Sequence, residues 1–228
     1  MLECAYASEF RIRVPHPSSA SEYPFRPAAG SPVMHPPPTQ PCSSEPTLAA
    51  SAWVLRFAPL IRTGAEVLDL ACGGGRHTRA LAAAGHRVLG VDRDALALQS
   101  LRGLPGVRTL QADLENAPWP LHQRFGAVVV TNYLWRALLP QIVRSVDEGG
   151  VLIYETFALG QQTVGRPARA EFLLRPGELL EAVRGELRVV AFEDGFQALP
   201  RPVFLQRICA VRECAPGSVS TDPPKYNL

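Results

Sequence analysis

Residues 66–94 constrain the fold more than any other stretch of the chain, because they contain five structural signals in a fixed order. The apolar run 67–70 has the length of a strand and stops at a cluster of three glycines. The alanine-rich run 79–84 then predicts a helix, and a second apolar run, 88–91, ends in Asp92. This order of strand, glycine turn, helix, strand and acid is typical of half of a nucleotide-binding βαβ unit.

Each part of such a unit has a physical reason. Glycine lacks a Cβ atom, so the turn can adopt positive φ and the backbone can come close to a ligand. The free N–H groups at the helix start, near Arg76 and His77, favour a negatively charged ligand group. In dinucleotide folds an acid at the tip of the second strand accepts hydrogen bonds from ribose hydroxyls, and Asp92 has that position.

Two details separate the cofactor classes that use this unit. The dinucleotide pattern G-x-G-x-x-G needs a third glycine for close helix packing. The corresponding positions here hold Gly73, Gly75 and Thr78, so the third glycine of the dinucleotide pattern is absent. Asp69 also lies inside the first strand, where the dinucleotide pattern does not explain a carboxylate but a ligand with an ammonium group would.

This combination resembles the first motif of the class I S-adenosylmethionine-dependent methyltransferases, which is an acid followed by a spaced glycine loop. Asp69 matches the family's acid, Ala71 stands where the family most often has glycine, and Asp92 matches its ribose-binding acid. The resemblance implies S-adenosylmethionine as cofactor and S-adenosylhomocysteine as product. The residues that it assigns to cofactor binding are Asp69, Ala71, Cys72, Gly73, Gly75, Asp92, Arg93, Asp113, Leu114 and Asn132. Within the family, the small tellurite-resistance-type methyltransferases are the most similar.

Two of the implied positions have alternatives that the residues leave open. Asp113 follows the predicted strand 107–110, where the family's acid accepts a hydrogen bond from the adenine amino group; the alternative is a turn or helix-cap aspartate. The apolar pattern of residues 46–61 predicts an amphipathic helix. That helix either covers the sheet edge or adds Ser51 and Trp53 to the wall of the cofactor site.

The later part of the chain predicts the rest of an α/β fold. Residues 125–130 are continuously apolar, as in a parallel strand covered on both faces, and a glycine turn at 147–150 precedes a fifth strand at 151–157. The last two strand candidates, 187–192 and 203–211, are too close for a crossover helix and must be antiparallel. With the resemblance, this predicts a doubly wound, Rossmann-like sheet of seven mostly parallel strands, with an antiparallel last strand and helices on both faces.

Residues that follow the 125–130 strand are expected near the point of methyl transfer, because ligands of open α/β sheets bind beyond the carboxyl ends of strands. Asn132 and Tyr133 have this position. Tyr133, His77 and Glu155 are the titratable candidates for a general base, although none has a spacing that proves the role. Aromatic packing is the alternative for Tyr133, and capping or packing against the first helix is the alternative for His77.

Composition predicts three parts of the chain. Ten of the 22 prolines lie in residues 1–46, which lack apolar periodicity and are expected to be disordered. Residues 47–212 are predicted to be the methyltransferase domain, and residues 213–228 a second disordered tail.

Charge and cysteine usage limit the partners. A net charge of +2 gives no reason to expect nucleic acid, and no apolar run reaches the roughly 18 residues of a membrane span. The five cysteines have no metal-ligand spacing, so we expect free thiols in a cytoplasmic protein and no metal site. The predicted partner is therefore a small-molecule methyl acceptor, with the oligomeric state open. The alternative functions are a catalytically silent cofactor-binding or scaffold protein and, less favoured, a NAD-dependent oxidoreductase.

Overall fold

The computed structural model of the protein describes residues 49–214 and Tyr226. Within this part the strands are Glu66–Leu70 (β1), Arg87–Asp92 (β2), Val107–Gln111 (β3), Phe125–Thr131 (β4), Val146–Phe157 (β5), Arg188–Gln197 (β6) and Val203–Val211 (β7). The α-helices are Ala52–Phe57 (α1), Arg76–Ala83 (α2), Ala95–Gln99 (α3), Leu139–Arg144 (α4) and Glu178–Val183 (α5). The tails predicted at 1–46 and 213–228 lie almost entirely outside the described residues, so the domain limits stay a prediction.

The seven strands form one sheet in the order β3-β2-β1-β4-β5-β7-β6. Neighbouring strands from β3 to β5 are parallel, whereas β7 is antiparallel to both β5 and β6. The predicted mostly parallel, doubly wound sheet with an antiparallel last strand is confirmed. Because β1 to β4 are parallel, their carboxyl ends meet at one edge, which is where open α/β sheets bind ligands.

Apolar side chains bury both faces of the sheet. On one face Ile142 of α4 and Leu179 of α5 belong to the same buried cluster as Val128 of β4. On the other face Phe57 of α1 and Leu81 of α2 are buried in one cluster with strand residues such as Val67. None of the described helices has the length and apolar character needed to cross a bilayer.

The alternation of side chains along a strand decides which polar residues share a face. Val67, Val129 and Ile153 all belong to the α1/α2 side of the core. The residues two positions further along these strands are Asp69, Thr131 and Glu155, so these three point to the same side, close to the carboxyl edge.

Three predicted boundaries were wrong. The helix predicted over 46–61 begins only at Ala52, where the Ser51 hydroxyl caps it by accepting a hydrogen bond from the N–H of Trp53 at 3.1 Å. The residues predicted as a glycine turn at 147–150 belong to β5, whose pairing with β4 shifts register there. β6 continues past residue 192 through Gly195, because cross-strand pairing with β7 outweighs the local turn preference.

Candidate functional site

The loop between β1 and α2 takes backbone conformations that favour glycine. Ala71 has φ +53°, so it occupies a left-handed position despite its Cβ atom, and Gly73 has φ +53°. A Cβ atom on Gly73 or Gly74 would meet no atom within 4 Å, whereas one on Gly75 would lie 2.3 Å from Leu101 Cδ2. Gly75 therefore serves packing, and Gly73 and Gly74 leave an open approach to the backbone.

Cys72 lies inside this loop and is buried. Its backbone N–H donates to the carbonyl of Val91 at 3.0 Å, which ties the loop to the end of β2. Burial raises the pKa of the Cys72 thiol well above its usual range, so the side chain is a neutral apolar filler. Cys72 thus supports the loop from beneath.

The Asp92 carboxylate is held by two backbone donors. Oδ2 accepts from the N–H of Gly73 at 2.7 Å, and Oδ1 accepts from the N–H of Asp94 at 2.9 Å. A carboxylate oxygen has two lone pairs, so each oxygen can accept one further hydrogen bond. The side chain is therefore fixed in place with acceptor capacity left for a ligand.

A cavity of about 160 Å³ opens beside Asp92, at the carboxyl edge of the sheet. Its walls are Ala71, Asp92, Arg93, Ala112, Asp113, Leu114, Glu115 and Tyr133. Larger grooves, of about 560, 450 and 300 Å³, lie along β3, at the opposite, amino edge of the sheet, and along β6. We consider the smaller cavity the functional one, because ligands of this type of sheet bind at the carboxyl edge.

Asp113 forms a turn as well as a wall of this cavity. Its Oδ1 accepts from the backbone N–H groups of Glu115 and Asn116 at 3.0 and 3.1 Å, and its Oδ2 accepts from the Asn116 amide at 2.9 Å. These bonds lower the pKa of Asp113. The turn alternative therefore describes its contacts in this structure.

Asp69 is fully buried beneath the glycine loop. Its Oδ2 accepts a hydrogen bond from the Thr78 hydroxyl at 2.6 Å, while Oδ1 has no partner among the described residues. Burial raises the pKa of Asp69 to about 6. Asp69 does not line the cavity beside Asp92, so its predicted contact with a ligand ammonium group stays a prediction.

His77 lies in the interior of the protein and away from the cavity. Its Nε2 accepts from the backbone N–H of Ser51 at 3.0 Å, and its Nδ1 lies 3.3 Å from the Thr131 hydroxyl. Burial lowers the pKa of His77 to about 4, so the ring is neutral at pH 7. These contacts fit the packing alternative and leave no accessible nitrogen for a general base.

Trp53 also belongs to the core instead of the cavity wall. Its side chain is buried, and its indole N–H donates to the carbonyl of Ile208 at 3.3 Å. The Ser51 hydroxyl caps α1, and the Ser51 backbone N–H donates to His77 Nε2. The structure thus uses α1 to cover the sheet, which is the first of the two alternatives for this helix.

Glu155 is buried in an ion pair. Its Oε2 lies 2.6 Å from Nε of Arg207, the residue directly opposite it on β7. Arg207 also contacts Glu193, and its guanidinium lies 6.0 Å from the centre of the Trp53 ring. Glu155 therefore compensates a buried cation, which is a structural role.

Tyr133 and Asn132 are neighbours in the chain, but only Tyr133 lines the cavity. The backbone carbonyl of Tyr133 accepts from the Tyr154 hydroxyl at 2.8 Å. Asn132 is exposed, has φ +53° and does not line the cavity. Sequence reasoning missed Ala112 and Glu115, which flank Asp113 at the end of β3 and could have been found from that position.

Comparisons with known proteins agree with this arrangement. Residues 67–150 match the model of a methyltransferase domain. A search of curated proteins finds no match to the sequence.

Several solved structures share the fold. TehB from Haemophilus influenzae is 21% identical with a TM-score of 0.60, over 73% of this chain and 63% of TehB. An S-adenosylmethionine-dependent methyltransferase from Mesorhizobium loti is 18% identical with a TM-score of 0.55, over 71% of this chain and 98% of its own. The glycopeptide N-methyltransferase MtfA, complexed with S-adenosylhomocysteine, is 19% identical with a TM-score of 0.51, over 70% and 88% of the two chains.

The chain therefore spans less than two thirds of the length of TehB. The matched segment includes the glycine loop, Asp92 and the cavity wall at the end of β3. Residues 67–150 are thus similar to a methyltransferase domain over less than half of the chain, and the solved structures share the fold.

Proposed function

We propose that this enzyme transfers a methyl group from S-adenosylmethionine to a heteroatom of a small-molecule acceptor and releases S-adenosylhomocysteine. The observation that carries the proposal is the Asp92 carboxylate, held by Gly73 and Asp94 beside the cavity with acceptor capacity left. A ribose diol needs two such acceptors. The open backbone at Gly73 and Gly74 suits the close approach of the rest of the cofactor.

The residues of the cavity fit the parts of this cofactor. We assign the ribose to Asp92 and the nucleoside wall to Ala71, Arg93 and Leu114. Asp69 acts differently, since it is buried: its charge beneath the loop would favour the cofactor's ammonium group without contact. Gly75 and Cys72 support the loop.

The reaction is a single displacement. The bound cofactor supplies a methyl group already activated by a sulfonium. With that cofactor bound, a lone pair of the acceptor heteroatom would form the new bond to the methyl carbon, and the electron pair of the broken carbon–sulfur bond would stay on sulfur. The protein contributes chiefly by holding donor and acceptor in line.

The structure leaves little support for a general base among the predicted candidates. His77 and Glu155 are both buried and have partners within the protein, and Tyr133 is itself part of the cavity wall. We therefore expect an acceptor that is already nucleophilic at neutral pH. MtfA, which shares the fold, is named an N-methyltransferase, and this supports a heteroatom acceptor.

A small-molecule acceptor is supported by charge. The chain has a net charge of +2, and ten of the 19 arginines in the described part form ion pairs with acids, for example Arg136 with Glu178 and Arg207 with Glu155. Nucleic-acid recognition would need a basic stripe. The three described cysteines are free thiols, which supports a reducing, cytoplasmic location.

Calorimetric titration of the full chain tests the cofactor assignment. We expect micromolar binding of S-adenosylhomocysteine and none of NAD. Binding of NAD alone would overturn the proposal in favour of an oxidoreductase. Binding of S-adenosylhomocysteine without methyl transfer from radiolabelled S-adenosylmethionine to any acceptor in a panel of amines, thiols and oxyanions would favour a silent cofactor-binding protein.

A further inference from the structure

The exposed apolar side chains of the described residues are concentrated in one region. Seven large hydrophobic residues of this part are exposed, and four of them lie in the loop between β5 and α5 or in the hairpin of β6 and β7. These four are Leu159, Val164, Phe196 and Leu199, which are 40%, 40%, 53% and 80% exposed. Single exposed hydrophobic residues are ordinary, but a group of them marks a surface that binds a partner.

The loop and the hairpin form one surface. The rings of Phe196 and Phe204 pack with 4.9 Å between their centres. Phe204 also lies against the backbone of Gly160, since a Cβ atom there would be 2.6 Å from Phe204 Cδ1. Leu159 precedes Gly160 in the chain, and Leu199 lies in the turn between β6 and β7. The hairpin patch consists of Leu159, Phe196, Leu199 and Phe204.

Hydrogen bonds within the protein hold this surface in place. The buried Gln161 side chain accepts from the backbone N–H of Phe204 at 2.9 Å and donates to the carbonyl of Arg166 at 3.0 Å. The backbone N–H of Leu159 donates to the carbonyl of Leu174 at 2.9 Å, which closes the loop at its base. The patch is therefore preformed, so a ligand does not have to overcome the entropy of ordering it.

The hairpin patch lies at the carboxyl edge of the sheet, where the cavity beside Asp92 also opens. Thr131 of β4 pairs with a residue of β5 that in turn pairs with Arg207 of β7, so Arg207 lies about 10 Å from Thr131, across two strand spacings. Because β7 is antiparallel, Phe204 lies about 10 Å beyond Arg207 in the direction in which Tyr133 follows Thr131. The patch is thus about 10 to 15 Å from the cavity wall at Tyr133, which a small molecule with one or two rings can span.

The segment after β4 contacts the same loop directly. Arg136, three residues after Tyr133, donates to the carbonyls of Glu171 and Leu173 at 2.6 and 2.8 Å. These residues belong to the loop that carries Leu159. The cavity wall and the hairpin patch are therefore parts of one connected frame.

The area of the patch favours a small molecule over a protein. Four partly exposed side chains supply about half of the roughly 800 Å² that a stable protein interface buries on each partner. An aromatic or aliphatic group of a small molecule can cover them, and such ligands bind mostly to apolar and aromatic side chains. A methyl acceptor must also reach the carboxyl edge, because the methyl donor is proposed to bind there.

We propose that the methyl acceptor has an apolar body, aromatic or branched aliphatic, which docks on the hairpin patch while its nucleophilic heteroatom points to the cofactor. This inference rests on the proposed function and deepens it, because it gives the chemical class of the acceptor. Phe196 and Leu199 are then specificity-determining residues. They bind the part of the acceptor that does not react.

The test compares acceptors that share a heteroatom and differ in their apolar body. The pairs are ethylamine with 2-phenylethylamine, and ethanethiol with 2-phenylethanethiol. The readout is kcat/KM for methyl transfer from radiolabelled S-adenosylmethionine by the full chain. The variants are Phe196→Ser and Leu199→Ser, and the matched control is Leu55→Ser, because Leu55 is 50% exposed on α1 and does not belong to the patch.

We expect the phenyl member of at least one pair to have a kcat/KM about 10- to 100-fold higher, as for the burial of one aromatic side chain. Phe196→Ser and Leu199→Ser should each reduce this preference about 3- to 10-fold, mainly by raising KM. Leu55→Ser should leave it unchanged. Equal kcat/KM within both pairs would overturn the inference, and so would an unchanged preference in both patch variants.

Saturation-transfer NMR measures docking without turnover. The probes are 2-phenylethylamine and ethylamine, added to the chain loaded with S-adenosylhomocysteine. We expect saturation of the phenyl protons with the wild-type chain and with Leu55→Ser, and a weaker signal with both patch variants. Equal signals from all four proteins would overturn the inference. A wild-type dimer in sedimentation that Leu199→Ser dissociates would do so as well, because the patch would then bind a second copy.

The two proposals fail in distinguishable ways. If the wild-type chain binds no S-adenosylhomocysteine, the proposed function fails, and the inference with it. If the chain binds it and transfers methyl groups equally well to both members of each pair, only the inference fails. If it binds the cofactor product but methylates none of the four acceptors, the NMR comparison of the wild-type chain with the patch variants decides the inference.

Discussion

The Asp92 carboxylate at the end of β2 accepts a hydrogen bond from the backbone N–H of Gly73, in the loop after β1, over 2.7 Å. This bond joins the two parts of the βαβ unit that face the cavity. The other carboxylate oxygen accepts from the N–H of Asp94, so the side chain cannot turn away without losing both bonds. The acid is thus oriented before any ligand arrives, which reduces the entropy that binding must overcome.

We predict that Asp92→Ala weakens S-adenosylhomocysteine by about 5- to 150-fold, which corresponds to about 1 to 3 kcal/mol for charge-assisted hydrogen bonds to the ribose. Calorimetry measures this. The matched control is Asp147→Ala, because Asp147 is a half-exposed acid that is paired with Arg62 at 3.6 Å and does not line the cavity. Unchanged affinity in a folded Asp92→Ala protein would remove Asp92 from the site.

The glycine loop allows a comparison of two substitutions with similar backbone strain. Gly75 and Gly73 both have positive φ, but only at Gly75 would a Cβ atom collide, at 2.3 Å from Leu101 Cδ2. We predict that Gly75→Ala lowers the free energy of unfolding by about 2 to 4 kcal/mol, as the sum of strain and overpacking. Gly73→Ala should cost only about 1 to 2 kcal/mol, from strain alone.

Ligand binding should rank the same two variants in the opposite order. A methyl group on Gly73 points into open space on the approach to the backbone, so Gly73→Ala should weaken S-adenosylhomocysteine more than its stability loss implies. Urea denaturation and calorimetry on each variant measure the two quantities. Equal stability losses would show that Leu101 moves aside.

Local sequence signals were enough to predict the elements that form the site. The βαβ unit could be predicted because its strands, glycine turn and terminal Asp92 lie within one short stretch. Ala71 shows the physical basis of the family's usual glycine, since its φ of +53° is a left-handed conformation. The antiparallel pair of β6 and β7 could be predicted from the short connection between them.

Contacts between distant residues could not be predicted in this way. Glu155 meets Arg207 only because β7 inserts beside β5 in antiparallel register, and no local pattern specifies that pairing. His77 was a reasonable catalytic candidate from the sequence alone. In the fold, the backbone N–H of Ser51, the residue that caps α1, donates a hydrogen bond to its Nε2 atom. The position of Tyr133 in the cavity wall could not be predicted either, because it depends on the direction that the chain takes after Asn132, whose φ is +53°.

The Glu155–Arg207 pair gives a prediction that separates structure from catalysis. Glu155→Gln leaves the mostly buried Arg207 guanidinium without its closest counter-charge, so we expect a loss of about 2 to 4 kcal/mol in the free energy of unfolding. Glu193→Gln removes the half-exposed second partner of Arg207 and should cost less than about 1 kcal/mol. Both variants should keep wild-type affinity for S-adenosylhomocysteine. A Glu155→Gln protein of wild-type stability would contradict the structural assignment.

Two buried groups should give opposing contributions to the pH dependence of stability. The pKa of Asp69 is raised from 3.8 to about 6 in the folded protein, so its contribution to stability is full below about pH 4 and is lost as the pH rises through about 6. The pKa of His77 is lowered from 6.5 to about 4, so its contribution is full above pH 6.5 and is lost as the pH falls through about 4. Between about pH 4 and 6 the two slopes have opposite signs and largely cancel.

Single substitutions should therefore reveal each slope. Relative to the wild-type chain, Asp69→Asn should gain stability as the pH rises from 4.5 to 7, by about 1 to 3 kcal/mol, because the cost of an ionised buried carboxylate is gone. His77→Gln should show the opposite trend of similar size, because it removes the group that favours the folded state at higher pH. Urea denaturation at half-unit pH intervals measures both differences. Curves that run parallel to the wild type in both variants would show that neither group titrates with a shifted pKa.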